Sequence, residues 1–231
     1  GSVVTFINGE GPGAVLAGFP ITGGYGSVPP SYGSTQSLWG AGIICYQASP
    51  TITCNVLTGN TGVAGAQVNG VALYCYGGGV ACLYSNATVV RNVIHGNTAY
   101  YAGGIYVNFG NPRIADNLIY DNSATAVGGG AVLYYGGILA NNTLVRNSAG
   151  TGGGLYLVSS PGIGHYSITS NIITHARSGG GVYLASSATG SRFAYNDVWN
   201  NTGGTDYSLP QGEDFAGELP ARNAGEFRTA V

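Results

Sequence analysis

The sequence predicts an all-β chain that coils into a parallel β-solenoid of about six to seven coils, with about 25 residues in each coil. Three observations carry this prediction. The chain has 42 glycines but only 7% charged residues, an Asn-containing phrase returns six times, and apolar residues alternate with others in short runs. Short alternating runs are typical of β-strands with one buried face. Self-similarity at a fixed period of 20–50 residues is typical of repeat architectures.

The repeated phrase begins with Asn, continues through an apolar position, and in most copies ends with Asn-Ser or Asn-Thr. Its leading asparagines follow one another at steps of 37, 25, 25, 29 and 25 residues, at Asn55, Asn92, Asn117, Asn142, Asn171 and Asn196. Equivalent residues of stacked coils lie about 4.8 Å apart, so these side chains can form hydrogen-bonded ladders. Gly and Asn suit the corners between strands because both tolerate positive φ.

Fixed offsets from the leading Asn predict which side chains face the interior. Every residue three positions before it is apolar, namely Ile52, Val89, Ile114, Leu139, Ile168 and Phe193. Every residue two positions after it is apolar as well, namely Leu57, Ile94, Ile119, Leu144, Ile173 and Val198. A Gly-rich phrase such as GGIYV at Gly103–Val107 contains a third short run of alternating apolar residues in each unit. We therefore expect about three short strands per coil.

The period also divides the chain. Residues 1–210 are predicted to form the solenoid, with irregular first coils at 1–42 and an inserted loop at 63–77 that lengthens one coil. Residues 211–231 lack the repeat, and we interpret them either as a cap on the last coil or as a disordered tail.

The phrases NVIHGNT at Asn92–Thr98 and GGIYV at Gly103–Val107 resemble the repeats of the right-handed parallel β-helix, the pectate lyase-like group, in its secreted bacterial form. The resemblance extends from about Ile43 to Tyr207. It implies a right-handed solenoid but leaves function open, because this scaffold serves polysaccharide lyases, hydrolases, epimerases and adhesins.

Composition narrows the function classes. A formal net charge of −2 gives no basic surface for nucleic acid. No apolar run approaches the roughly 18–20 residues of a membrane span. No spacing of Cys, His or acidic residues matches a metal or cofactor motif, so no cofactor is expected. We expect a secreted or cell-surface protein, and the oligomeric state is left open.

The Tyr residues of the Gly-rich phrase are the first candidate site. Because both neighbours face inward, Tyr106, Tyr156 and Tyr183 are expected to face solvent, with Tyr134 at the next corner. Aromatic rings offer apolar area and a polar tip, which suits sugar rings. The alternative is that Tyr is a good strand residue that stacks on its neighbours. The leading functional hypothesis is a structural or adhesive protein that binds a polysaccharide or cell-surface glycan along this ladder.

A column of polar residues four positions after the leading Asn is the second candidate site. It places Asp121, Arg146 and His175 on successive coils. A carboxylate, a guanidinium and a titratable imidazole can bind or deprotonate an acidic sugar. The alternative function is therefore a lyase or hydrolase acting on acidic polysaccharide with these residues as catalytic groups. The competing interpretation is a surface ion-pair ladder.

Four cysteines lie in the first half of the repeat region. Cys45 and Cys82 share one inward column, whereas Cys54 precedes the corner and Cys75 ends the inserted loop. Their spacing matches no zinc motif. It allows either buried thiols or one or more disulfides, and four cysteines permit three pairings.

Overall fold

A computed structural model describes residues 1–29, 37–62, 67–68, 71–159, 165–185 and 191–208. These residues form short β-strands and contain no helix, and so none that could cross a membrane. All strands pair in parallel except one small antiparallel hairpin, Gln67–Val68 with Val71–Ala72. The parallel strands stack into four sheets, which we number in the order in which one coil passes through them.

Sheet 1 consists of Val4–Phe6, Ile43–Tyr46, Val80–Leu83, Ile105–Asn108, Ala131–Tyr134, Leu155–Val158, Val182–Leu184 and Tyr207–Ser208. Sheet 2 consists of Val15–Ala17, Thr51–Thr53, Thr88–Val90, Arg113–Ala115, Gly137–Ala140, Tyr166–Thr169 and Arg192–Ala194. Sheet 3 consists of Pro20–Ile21, Val56–Thr58, Val93–His95, Leu118–Tyr120, Thr143–Val145, Ile172–Thr174 and Asp197–Trp199. Sheet 4 is shorter and consists of Ser37–Trp39, Tyr74–Tyr76, Thr98–Tyr101 and Ser123–Val127.

Sheets 2 and 3 each contain seven strands, so the described chain makes seven coils, within the predicted six to seven. The all-β parallel β-helix that the sequence predicts is confirmed. The register agrees with the predicted columns, since Ile52, Val89 and Ile114 are direct neighbours in sheet 2 and Leu57, Ile94 and Ile119 are direct neighbours in sheet 3. These side chains are fully buried and belong to one continuous core.

Two asparagine ladders run along the coils, and the first is the ladder predicted for the leading asparagines. In the first, Nδ2 of Asn55, Asn92, Asn117, Asn142 and Asn171 each donates to Oδ1 of the next leading asparagine over 2.8–3.1 Å. The second ladder joins Asn60, Asn97, Asn122 and Asn147 in the same manner. It is interrupted at Ala176, which has no side-chain amide.

The corner after sheet 3 has a left-handed backbone in six coils. Its residues have φ between 53° and 62°, and they are Gly59, Gly96, Asp121, Arg146, His175 and Asn200. Gly, Asn and Asp tolerate this conformation, whereas a long side chain such as that of Arg adopts it less readily. The charged residues of this column therefore occupy a corner whose backbone the stacked coils hold in place.

The structure also describes parts of the predicted irregular regions. Residues 1–29 already supply Val4–Phe6, Val15–Ala17 and Pro20–Ile21 to sheets 1, 2 and 3. Within the predicted insertion at 63–77, residues 67–68 and 71–72 form the hairpin and Tyr74–Tyr76 forms a regular strand of sheet 4. Residues 63–66, 69–70 and the predicted cap or tail at 211–231 lie outside the described residues.

Candidate functional site

Sheet 4 covers part of the tyrosine column. A second apolar cluster lies on the outer face of sheet 1, where the ends of the sheet 4 strands pack against it. The ring centroid of Tyr106 lies 5.6 Å from that of Trp39 and 5.2 Å from that of Tyr76. Tyr106 is only 3% exposed. The prediction that Tyr106 faces solvent is therefore wrong, because the outer face of sheet 1 is itself packed at this coil.

The later tyrosines of the same column are less covered. Sheet 4 has its last strand at Ser123–Val127, and the next two coils continue it only through isolated bridges at Ser148, Thr151 and Ser178. The side chains of Tyr134, Tyr156 and Tyr183 are half-buried. Together with half-buried Tyr101, they form what we call the tyrosine surface.

The phenols of the tyrosine surface influence one another. The pKa of Tyr134 is raised to about 12, mainly by burial and in smaller part by the neighbouring phenols of Tyr156 and Tyr101. Burial also raises the pKa of Tyr156, with further contributions from Tyr183 and Tyr101. Tyr134 and Tyr156 therefore carry neutral hydroxyls near neutral pH, which donate and accept hydrogen bonds.

Ring orientation decides what a ligand meets on the tyrosine surface. The rings of Tyr156 and Tyr183 are stacked, with centroids 5.2 Å apart and planes 4° from parallel. Tyr76 and Tyr101 stack likewise, at 4.8 Å and 16°. Because stacked rings use their faces on each other, these pairs offer mainly ring edges and hydroxyls. The alternative interpretation, that tyrosines of successive coils stack on one another, is correct for these pairs.

The corner after sheet 3 brings Asp121 and Arg146 together. Nε and Nη2 of Arg146 donate to Oδ1 and Oδ2 of Asp121 over 3.0 and 2.8 Å. Nη2 of Arg177 lies 2.7 Å from Oδ1 of the same carboxylate. The hydrogen bond from Arg146 is the main cause that holds the pKa of Asp121 below its usual value, and the charges of Arg146, Arg177 and His95 add to it.

Arg177 was not among the predicted site residues. It stands six positions after its leading asparagine, where the other five copies have Ser or Thr. That departure from the repeat was the available signal. Its side chain reaches back across the coil of Arg146 to Asp121, a contact between coils that a single repeat does not reveal.

His175 follows Arg146 in the corner column but has different partners. Its Nδ1 lies 2.8 Å from Oγ1 of Thr174, and its ring meets that of Trp199 edge to face at 5.0 Å. Among the described residues, no hydrogen bond or ion pair joins His175 to Asp121 or Arg146. The histidine whose charge acts on Asp121 is His95, whose ring stacks on Tyr120 at 4.7 Å.

A family model described as the right-handed β-helix region matches residues 34–211. The chain belongs to this family. The match confirms the resemblance read from the repeated phrases. No curated protein and no solved structure matches the chain, so the particular function of this β-helix has to be argued from its surface.

The cysteines of the β-helix are all free thiols. Cys45 and Cys82 are paired residues of adjacent strands in sheet 1, and both are fully buried. Burial raises the pKa of Cys45 well above its usual value and that of Cys75 to about 12. Cys54 alone is exposed. Within the described part of the chain, no three His, Cys, Asp or Glu side chains converge as a metal site would require.

Proposed function

We propose that this protein is a secreted or cell-surface β-helix with a structural or adhesive role, and that it binds polysaccharide at the tyrosine surface. The observation that carries the proposal is the end of sheet 4 after Ser123–Val127. Beyond that strand Tyr156 and Tyr183 keep solvent contact, whereas Tyr106 is packed beneath Trp39 and Tyr76.

The interior of the coils supports a structural role. Both asparagine ladders are buried and hydrogen-bonded from coil to coil. Each coil buries its apolar column only against its neighbours, so the solenoid is stable as a stack. Such a stack holds outward side chains at a repeat of about 4.8 Å.

The chemistry of the tyrosine surface suits a neutral or weakly charged sugar chain. Phenolic hydroxyls can donate to and accept from sugar hydroxyls, and the ring edges beside them are apolar. The four residues that define the surface are all tyrosines. Recognition would therefore rest on hydrogen bonds and apolar contact, and we expect it to change little with salt.

The experiment is native affinity electrophoresis through gels that contain neutral or acidic polysaccharides. The double variant Tyr156→Ala/Tyr183→Ala should lose the retardation that the wild-type protein shows, with an increase in Kd of about tenfold or more. Tyr84→Ala is the matched control, because Tyr84 is 50% exposed and stacks on Phe109 outside the tyrosine surface. Equal retardation of the double variant and the control would contradict the proposal, as would the absence of retardation by every polymer.

The alternative role, a lyase or hydrolase acting through Asp121, Arg146 and His175, receives less support from the geometry. A general acid or base works best with a pKa near the working pH, whereas two guanidinium groups keep Asp121 ionised. The same polysaccharides can be assayed for new reducing ends and for unsaturated products. Turnover that is abolished in a folded His175→Ala variant would favour the enzyme over the adhesin.

A further inference from the structure

One carboxylate holds two guanidinium groups at the corner after sheet 3. We call Asp121, Arg146 and Arg177 the arginine corner. Arg146 binds Asp121 through two nitrogens, and Arg177 binds it through one. A single negative charge thus faces two positive charges, and the group keeps a net charge of about +1. The whole chain has a formal charge of −2, so this corner has the opposite sign.

The cations of this corner are accessible. The side chains of Arg146 and Arg177 are 46% and 60% exposed, whereas that of Asp121 is only 27% exposed. Arg146 lies over the ring of Tyr120, with Cζ 5.7 Å from the ring centroid, and this contact restricts the guanidinium. The positive groups therefore lie at the surface while the carboxylate lies beneath them.

Donors remain on both arginines. A guanidinium has five N–H groups in a planar fork. Hydrogen bonds and ion pairs to described residues engage Nε and Nη2 of Arg146 and Nη2 of Arg177, but not Nη1 of either residue or Nε of Arg177. Planar forks of this kind match the oxygens of carboxylate, phosphate and sulfate groups.

We propose that the arginine corner is a binding site for an oxyanion group, with Arg146 and Arg177 as its donors and Asp121 as the internal carboxylate that competes with the oxyanion for them. The ligand class is a sulfate, phosphate or carboxylate group, either free or carried on a polymer. This site lies on another corner of the coil than the tyrosine surface. Neither inference depends on the other.

The test is affinity electrophoresis of the full chain through dextran sulfate, with carboxymethyl dextran as the carboxylate probe and unmodified dextran as the neutral reference. The wild-type protein should be retarded by the charged polymers. The variant Arg146→Gln/Arg177→Gln should bind about tenfold more weakly. Arg113→Gln is the control for lost charge, because Arg113 is 51% exposed and its Nη2 lies 4.0 Å from Oδ2 of Asp116. It should bind about as tightly as the wild type.

The variant Asp121→Asn should change binding to dextran sulfate in the opposite direction from Arg146→Gln/Arg177→Gln. Asn tolerates the left-handed backbone at this position, where φ is 53°, so the fold should be retained. Removal of the carboxylate releases both arginines, and binding to dextran sulfate should tighten about threefold or more. Tightening could not come from a merely structural role of the three residues.

Inorganic sulfate separates the two sources of the oxyanion. Release from dextran sulfate by inorganic sulfate, but not by chloride of equal ionic strength, would identify a site for small anions. Release by ionic strength alone would identify a site for charged polymer. The proposal would be overturned by absence of retardation in both charged gels, by equal binding of the double variant and Arg113→Gln, or by weaker binding of Asp121→Asn.

Discussion

Replacement of Asn117 by Ala should be one of the most destabilising single changes in this protein. The side chain of Asn117 makes four hydrogen bonds. Oδ1 accepts from the backbone N–H and from Nδ2 of Asn92 over 2.9 and 3.1 Å, and Nδ2 donates to the carbonyl of Val89 and to Oδ1 of Asn142 over 2.9 and 3.0 Å. Asn117 is 3% exposed, so water cannot replace these partners.

The expected loss follows from that inventory. A buried hydrogen bond contributes about 0.5–1.5 kcal/mol net, so four of them contribute about 4 kcal/mol. The substitution also leaves the backbone N–H of Asn92 without its acceptor inside the coil. Asn142 keeps a partner, because the backbone N–H of Asn117 still donates to its Oδ1. We therefore expect the free energy of unfolding to fall by about 4 kcal/mol, a loss that few point mutations reach.

The assay is urea denaturation followed by far-ultraviolet circular dichroism, with the wild-type chain and two variants compared at one protein concentration. Asn111→Ala is the matched control, because Asn111 is exposed and its side chain makes no hydrogen bond to another described residue. It should change the free energy of unfolding by less than about 0.5 kcal/mol. If Asn117→Ala shifts the denaturation midpoint no further than Asn111→Ala, the ladder does not stabilise the stack as argued.

Two further predictions concern glycine and cysteine. Gly104→Ala should destabilise the stack by about 1–3 kcal/mol, because an added Cβ would lie 2.3 Å from the carbonyl oxygen of Gly130. Gly13→Ala should be tolerated in the same denaturation assay, because no atom lies within 4 Å of an added Cβ at that position. In a thiol titration with an aromatic disulfide reagent, only the exposed Cys54 should react in the folded protein. Raising the pH to about 9 should not make Cys75 reactive, because burial raises its pKa to about 12. Equal losses in both glycine variants, or rapid reaction of two thiols in the native chain, would contradict these two predictions.

The interior of this fold could be predicted from sequence because its constraints repeat. Ile114 and Ile119 face the core from fixed offsets on either side of Asn117, and residues at the same offsets face the core in the neighbouring coils. The ladder requires Asn at the position of Asn117. A pattern with a strand period of two and a coil period of about 25 residues therefore fixes both the register and the buried face. The few departures are informative, such as Ala176, which interrupts the second ladder.

The outer layer could not be predicted in the same way. Sheet 4 contains Tyr74–Tyr76, which lies within the predicted insertion at 63–77, and its register shifts between Ala99 and Tyr101. Two of its strands begin six positions after a leading asparagine, at Thr98 and Ser123. The repeat nevertheless does not show that Trp39 covers Tyr106. Alternation shows which side of a strand faces out, but it does not show whether a further layer packs on that side.

The corners explain why candidate chemistry in this fold is hard to read from a repeat. A corner residue has a left-handed backbone that the neighbouring coils impose, and its side chain projects outward without filling the core. The repeat therefore does not restrict the residue type at this position, and the same column contains Gly96, Asp121, Arg146 and His175. A contact between corner side chains of different coils depends on how far each side chain reaches. Arg177 therefore contacts Asp121, whereas His175 does not. In a solenoid of this kind, residues that depart from the repeat at exposed corners are better evidence of a binding site than residues that obey it.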